Sequence, residues 1–237
     1  MFVMKFLILL ASLFLSTFAR AKTEVELVPE RTIVLNGVIS DNIAGPMLNA
    51  MDALAKTGKD IDIIISSPGG SVIAGSFLVD KMVQLKSEGV HFRCFVRGLA
   101  ASMAFQLLLF CDERYSTPHS FLLWHPVRIF AQGVVTAQLA SNLATQLQQA
   151  DEVALHDLRA HLSMSEADIL MHFYNETLHQ AHNLLVTAPG FFTKVTNSVS
   201  NLYPEKPALD TSAFGGLFGY NQIVYIHEQF ITNGVNK

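Results

Sequence analysis

The chain has 237 residues, half of them hydrophobic and 15% charged, with a formal net charge of −4. Such a balance supplies one large core in a single soluble domain, and it excludes an electrostatic case for a nucleic-acid partner. In chain order, Met1 to Lys5 is a short cationic start, Phe6 to Phe18 is almost entirely apolar, and Ala19-Arg20-Ala21 fits a small-x-small cleavage site. Residues 1–21 are therefore predicted to be a secretory signal peptide, cleaved near Ala21 to leave an exported, periplasmic or secreted chain. The alternative is a retained N-terminal membrane anchor, for which the apolar stretch is short of the roughly 20 residues a span requires.

Ile61-Asp62-Ile63-Ile64-Ile65 reads as a buried strand that stops at Ser66-Ser67-Pro68-Gly69-Gly70 and passes into a helical pattern from Ala74 to Leu85. The glycine pair lets the backbone approach a ligand with its N–H groups exposed. A second strand-to-helix turn, Gly98-Leu99-Ala100-Ala101-Ser102-Met103-Ala104, places a serine among small residues at a helix start. Free N–H groups at such a turn favour a developing oxyanion, although a serine there also reads as a plain helix cap. His125, in Leu122-Leu123-Trp124-His125-Pro126, follows 23 residues later, so the pair reads as a nucleophile and its base.

Together, the two glycine-bearing turns and the histidine resemble the Clp peptidase family, the proteolytic subunit of the Clp proteases. The resemblance runs from about Arg31 to Leu184: Arg31 to Gly37 looks like the family's first core strand, followed by a helix over about Asp41 to Lys56, and it includes Pro118-His119-Ser120 before the histidine strand, Gln132-Gly133 before a long helix, and a further helix start at Ser165 to Ile169. It implies an α/β fold, a crotonase-like spiral of ββα units with a projecting helical handle. It also implies a serine endopeptidase that cleaves peptides or unfolded polypeptide segments, with Ser102 as nucleophile, His125 as general base, and the N–H groups of Gly70 and Met103 as the oxyanion hole. The family places an aspartate about 50 residues after the histidine. Here that stretch is Phe173-Tyr174-Asn175-Glu176-Thr177-Leu178-His179-Gln180-Ala181, without an aspartate, and counting from both sides puts Glu176 in the position, with Asn175 one residue away. A glutamate can hold the imidazole tautomer and stabilise imidazolium, whereas asparagine would orient the ring without charge.

The segment 134–162 carries apolar residues at Leu139, Leu143, Leu147, Val153 and Leu158, a helical period. By resemblance this is the handle; an apolar stripe with no core beneath it calls for a partner, and the resemblance implies a homo-oligomeric ring, heptameric and able to stack in pairs; the alternative is a helix folded against its own domain. Only about ten residues separate Lys22 from the first core strand, a short or replaced form of the segment that faces the family's ATPase partner, which puts docking of such an unfoldase in doubt. Residues 22–200 are thus read as the catalytic domain and 201–237 as a loop-rich C-terminal extension.

Cys94 and Cys111 both lie in apolar settings and read most simply as buried thiols, although an exported protein could join them if their Cα atoms come within about 7 Å. His156, His161, His172, His179 and His182 lie along predicted helices without a zinc-like ligand set, so solvent or interface roles are expected, and neither metal nor other cofactor is expected. Three competing readings remain. An acyl-CoA enzyme of the crotonase superfamily would share the fold and a backbone oxyanion hole but would need no serine and histidine at this spacing. A catalytically impaired scaffold subunit would keep fold and handle while tolerating a damaged third position. A Ser-Lys peptidase is opposed by the lack of any lysine between Ser102 and Lys194.

Overall fold

In a computed structural model, which describes residues 25–200 apart from 59 and 131, β-branched runs become parallel strands and each glycine-bearing turn feeds a helix. The strands are β1 (Val25–Glu26), β2 (Thr32–Asn36), β3 (Ile61–Ser67), β4 (Phe92–Ala101), β5 (Glu113–Ser116), β6 (Phe121–Leu123), β7 (His179–Gln180), β8 (Lys194–Val195) and β9 (Val199–Ser200). The helices are α1 (Asp41–Ala55), α2 (Val72–Ser87), α3 (Met103–Leu109), α4 (Ala137–His161), α5 (Glu166–Tyr174) and α6 (Ala181–Thr187). A parallel sheet runs in the order β2-β3-β4-β5-β8, β6 adds to β4, and β7 pairs antiparallel with β6. This mixed α/β architecture, with its parallel sheet and covering helices, is that of a Clp peptidase-like fold.

Alternation within the strands divides the core between the two faces of the sheet. Ile61, Ile63 and Ile65 of β3 join the large cluster beneath the helices, where α1 contributes Ile43, Met47, Met51 and Leu54 at helical spacing. Ile64 faces the other way, into a smaller cluster with Val25, Leu27, Val34, Phe95 and Tyr115. Asp62, also on that face, is fully buried in the middle of what reads as an apolar strand. Its carboxylate accepts from Arg93 at 2.7 Å and from Arg31 and the Val28 N–H at 3.3 Å, partners that offset the cost of a buried charge.

β4 changes partner along its length. Arg93 to Val96 pairs with β5, and Leu99 to Ala101 pairs with β6. Between them the register with β3 shifts, and Gly98 takes φ +88°, the mark of a bulge that bends the strand. The buried Ser120 hydroxyl holds the bend, accepting from the Gly98 N–H at 2.9 Å and donating to the Val96 carbonyl at 3.1 Å. The Pro118-His119-Ser120 motif therefore has a structural use.

Two readings are corrected by the fold. Cys94 in β4 and Cys111 after α3 form a disulfide with a Cα–Cα distance of 5.9 Å, so they are buried but not thiols. His179 is not at a surface: it is buried in β7, stacked on Trp124 at 4.3 Å and edge-on to His172 at 4.5 Å. Burial, with His172 adding to it, lowers its pKa to about 4.

α4 packs on α3 and α5 only through its C-terminal part, where Leu155 and Leu158 are buried. Its first half lies almost wholly in solvent, and Leu139 and Val153 are exposed. Among the described residues no helix is long and apolar enough to cross a membrane. The predicted signal peptide and C-terminal extension lie outside the described residues.

Candidate active site

The β3–α2 turn and the β4–α3 turn meet at the ends of adjacent strands. Gly69 has φ +90° and Gly70 φ +151°, both in the region that favours glycine. A Cβ on Gly69 would lie 2.6 Å from both the Ala101 carbonyl oxygen and the Ser102 Cβ, so only glycine lets the two turns touch. Gly70 is pressed equally closely on Ile39, whose backbone oxygen would lie 2.2 Å from an added Cβ. The bonds Ile39 N–H to Gly69 and Ser71 N–H to Ile39 close this bridge and leave the N–H of Gly70 without a partner among the described residues. The N–H of Met103, first residue of α3, is likewise unbonded there.

Ser102 precedes α3 with φ +55° and ψ −127°, a conformation that costs a non-glycine residue on the order of 1–3 kcal/mol. Its hydroxyl does not cap the helix, unlike those of Ser71 and Ser165, which accept from Ala74 and Asp168 at the starts of α2 and α5. The capping reading of this serine is therefore incorrect. Its N–H donates to the Leu123 carbonyl at 2.8 Å, which seats the serine turn against the end of β6. His125 lies two residues beyond that carbonyl, so the bend in β4 and the β4–β6 register bring both side chains to one cavity of about 490 Å³. Gly70, Met103, Gln106, Val79 and Arg128 also line it.

The half-buried His125 donates from Nδ1 to the Pro126 carbonyl at 2.6 Å. A carbonyl only accepts, so the proton is on Nδ1, and Nε2 is the ring atom left to take a proton. The segment that follows is fixed by α4, whose Asp151 accepts from the Val127 N–H at 2.6 Å.

Glu176 does not line this cavity and makes no hydrogen bond to His125. Its carboxylate is taken by Arg128, in a pair that is exposed on both sides. The Arg128 guanidinium is the main reason its pKa is lowered, with a lesser contribution in the same direction from His125. Asn175 caps the end of α5 and is exposed. Arg128, the Pro126 carbonyl and Asp151 were not singled out in the sequence. Only the position of Arg128, three residues after the histidine, offered a signal.

The sequence profile of the Clp protease family matches residues 19–183. The ATP-dependent Clp protease proteolytic subunit 1 of Mycobacterium leprae (strain TN) is 35% identical over 127 residues, 52% of this chain and 60% of that protein. The chain thus matches a little under two thirds of that relative's length. With the profile covering well over half of the chain and the two turns meeting as described, the chain belongs to the Clp protease family.

Proposed function

We propose that this protein is a serine endopeptidase that cleaves peptides or unfolded segments through an acyl-enzyme on Ser102. One observation carries the reading: a serine in a strained turn, with its hydroxyl unused as a cap, shares a cavity with a histidine whose Nδ1 is already occupied. In this reading Nε2 of His125 takes the hydroxyl proton as Oγ attacks the scissile carbonyl, and later returns it to the leaving amine. The N–H groups of Gly70 and Met103 receive the oxyanion. Glu176 is the carboxylate assigned to the third position. The exposed first half of α4 and its apolar Leu139 support assembly into a ring through the handle. The cationic and apolar residues 1–21 and the Cys94–Cys111 bond support export into an oxidising compartment.

Fluorophosphonate labelling of the purified chain, with Ser102→Ala as control and native mass on the same sample, tests the reading. Labelling at Ser102 that vanishes in the variant is the expected result. A second reading, an impaired subunit that assembles with an active one, is favoured by the lack of any carboxylate bonded to His125 among the described residues. An unlabelled, well-formed ring would select it.

A further inference from the structure

We propose that Arg128 is a latch on the third position of this site: it holds the Glu176 carboxylate off His125, and full catalytic rate requires that ion pair to open. The proposal rests on the reading of Ser102 and His125 as nucleophile and base.

Both ends of the latch are held in the backbone, so opening of the pair is left to the side chains. Glu176 ends α5 in a Schellman turn, with its own N–H on Phe173 at 3.3 Å and the Thr177 N–H on His172 at 3.1 Å. It occupies the left-handed position, φ +50°, that glycine usually takes. Arg128 is carried by the segment that Asp151 ties to α4, and it both lines the cavity and bonds Glu176. Because the pair is exposed on both sides, little free energy holds it closed. His125 meanwhile donates its Nδ1–H in a hydrogen bond to the Pro126 carbonyl, a neutral acceptor. Exchange of that carbonyl for a carboxylate would make the hydrogen bond charge-assisted and stabilise the imidazolium formed during attack. The Arg128 guanidinium holds the Glu176 carboxyl below the usual carboxylate range, as the closed latch requires.

The test compares the wild-type chain with Arg128→Gln, Glu176→Gln and the double variant. Hydrolysis of a fluorogenic peptide is followed from pH 5 to 9, and the rate of fluorophosphonate labelling of Ser102 is measured in parallel. Arg128→Gln should raise kcat about tenfold, the difference between a charged and a neutral hydrogen bond, with KM unmoved. Its acid limb should move to higher pH, since a carboxylate on the imidazole favours the protonated ring. Glu176→Gln should cost about tenfold more in the Arg128→Gln background than in the wild type. An Arg128→Gln rate and acid limb equal to wild type would overturn the latch, as would an equal cost of Glu176→Gln in both backgrounds. Absence of Ser102 labelling in both wild type and Arg128→Gln would instead overturn the peptidase reading beneath it.

Discussion

Around Ser102 the backbone is held by contacts that leave no room for a methyl group, whereas around Glu176 it is held by hydrogen bonds at a helix end that faces solvent. The first wall is made of packing and has one arrangement. The second is made of exposed charges, the Arg128–Glu176 pair, and little free energy fixes their arrangement. Preorganised oxyanion donors belong on the first kind of wall, because a donor that moves must be reorganised at the moment of reaction. A group that adjusts the base can sit on the second.

The contrast is broken most severely at Gly69. Gly69→Ala puts a Cβ 2.6 Å from Ser102 and demands a left-handed alanine, so it should cost about 3 kcal/mol or more and abolish Ser102 labelling. Urea unfolding and labelling of the same sample check both effects. The packed wall is also stapled from behind by the disulfide, which closes a loop across 17 positions that contains Ser102. Replacement of both cysteines by alanine should cost about 3 kcal/mol of stability, read as a lower midpoint in urea.

A comparable effect is expected at His179, beneath Trp124 and hence beneath the strand end that carries His125. Its folded pKa, about 4, lies below the ordinary value of 6.5, so the unfolded chain binds the extra proton first as pH falls. Its contribution to stability is complete above pH 6.5 and is lost between there and pH 4, on the order of 3 kcal/mol in all. His179→Phe should flatten that part of the pH–stability profile. The smallest effect is expected on the exposed wall: Glu176→Gly relieves a left-handed glutamate and gives up a solvent-exposed ion pair, so the melting temperature should rise while hydrolysis by the otherwise wild-type chain changes little.

Features that one short segment needs for its own geometry were legible in the sequence. Gly69, Gly70 and Ser102 announced themselves because a tight turn against another backbone requires small residues, and the helical pattern read over 74–85 is the middle of the helix over 72–87. Features that depend on which distant residues meet were not legible. Asp62 looks like an interruption in an isoleucine run until Arg31 and Arg93 are brought to it from two other segments. Cys94 and Cys111 become a pair only because α3 returns to the start of β4. His179 counts as one histidine among several until β7 pairs with β6 and turns it under Trp124. Glu176 could be placed by counting, but its engagement with Arg128 depends on the conformation of a helix end, which counting does not report.

The bend at Gly98 divides the sheet into two cooperative units of unequal strength. Ser102 is attached to β4, which is paired with β3 along most of its length, whereas His125 hangs from β6, three residues long and backed by a two-residue β7. Short outer pairings are the first to open under mild denaturant. The histidine should therefore leave the serine before the molecule unfolds, so that activity disappears at a lower urea concentration than the core signal and returns sooner on dilution.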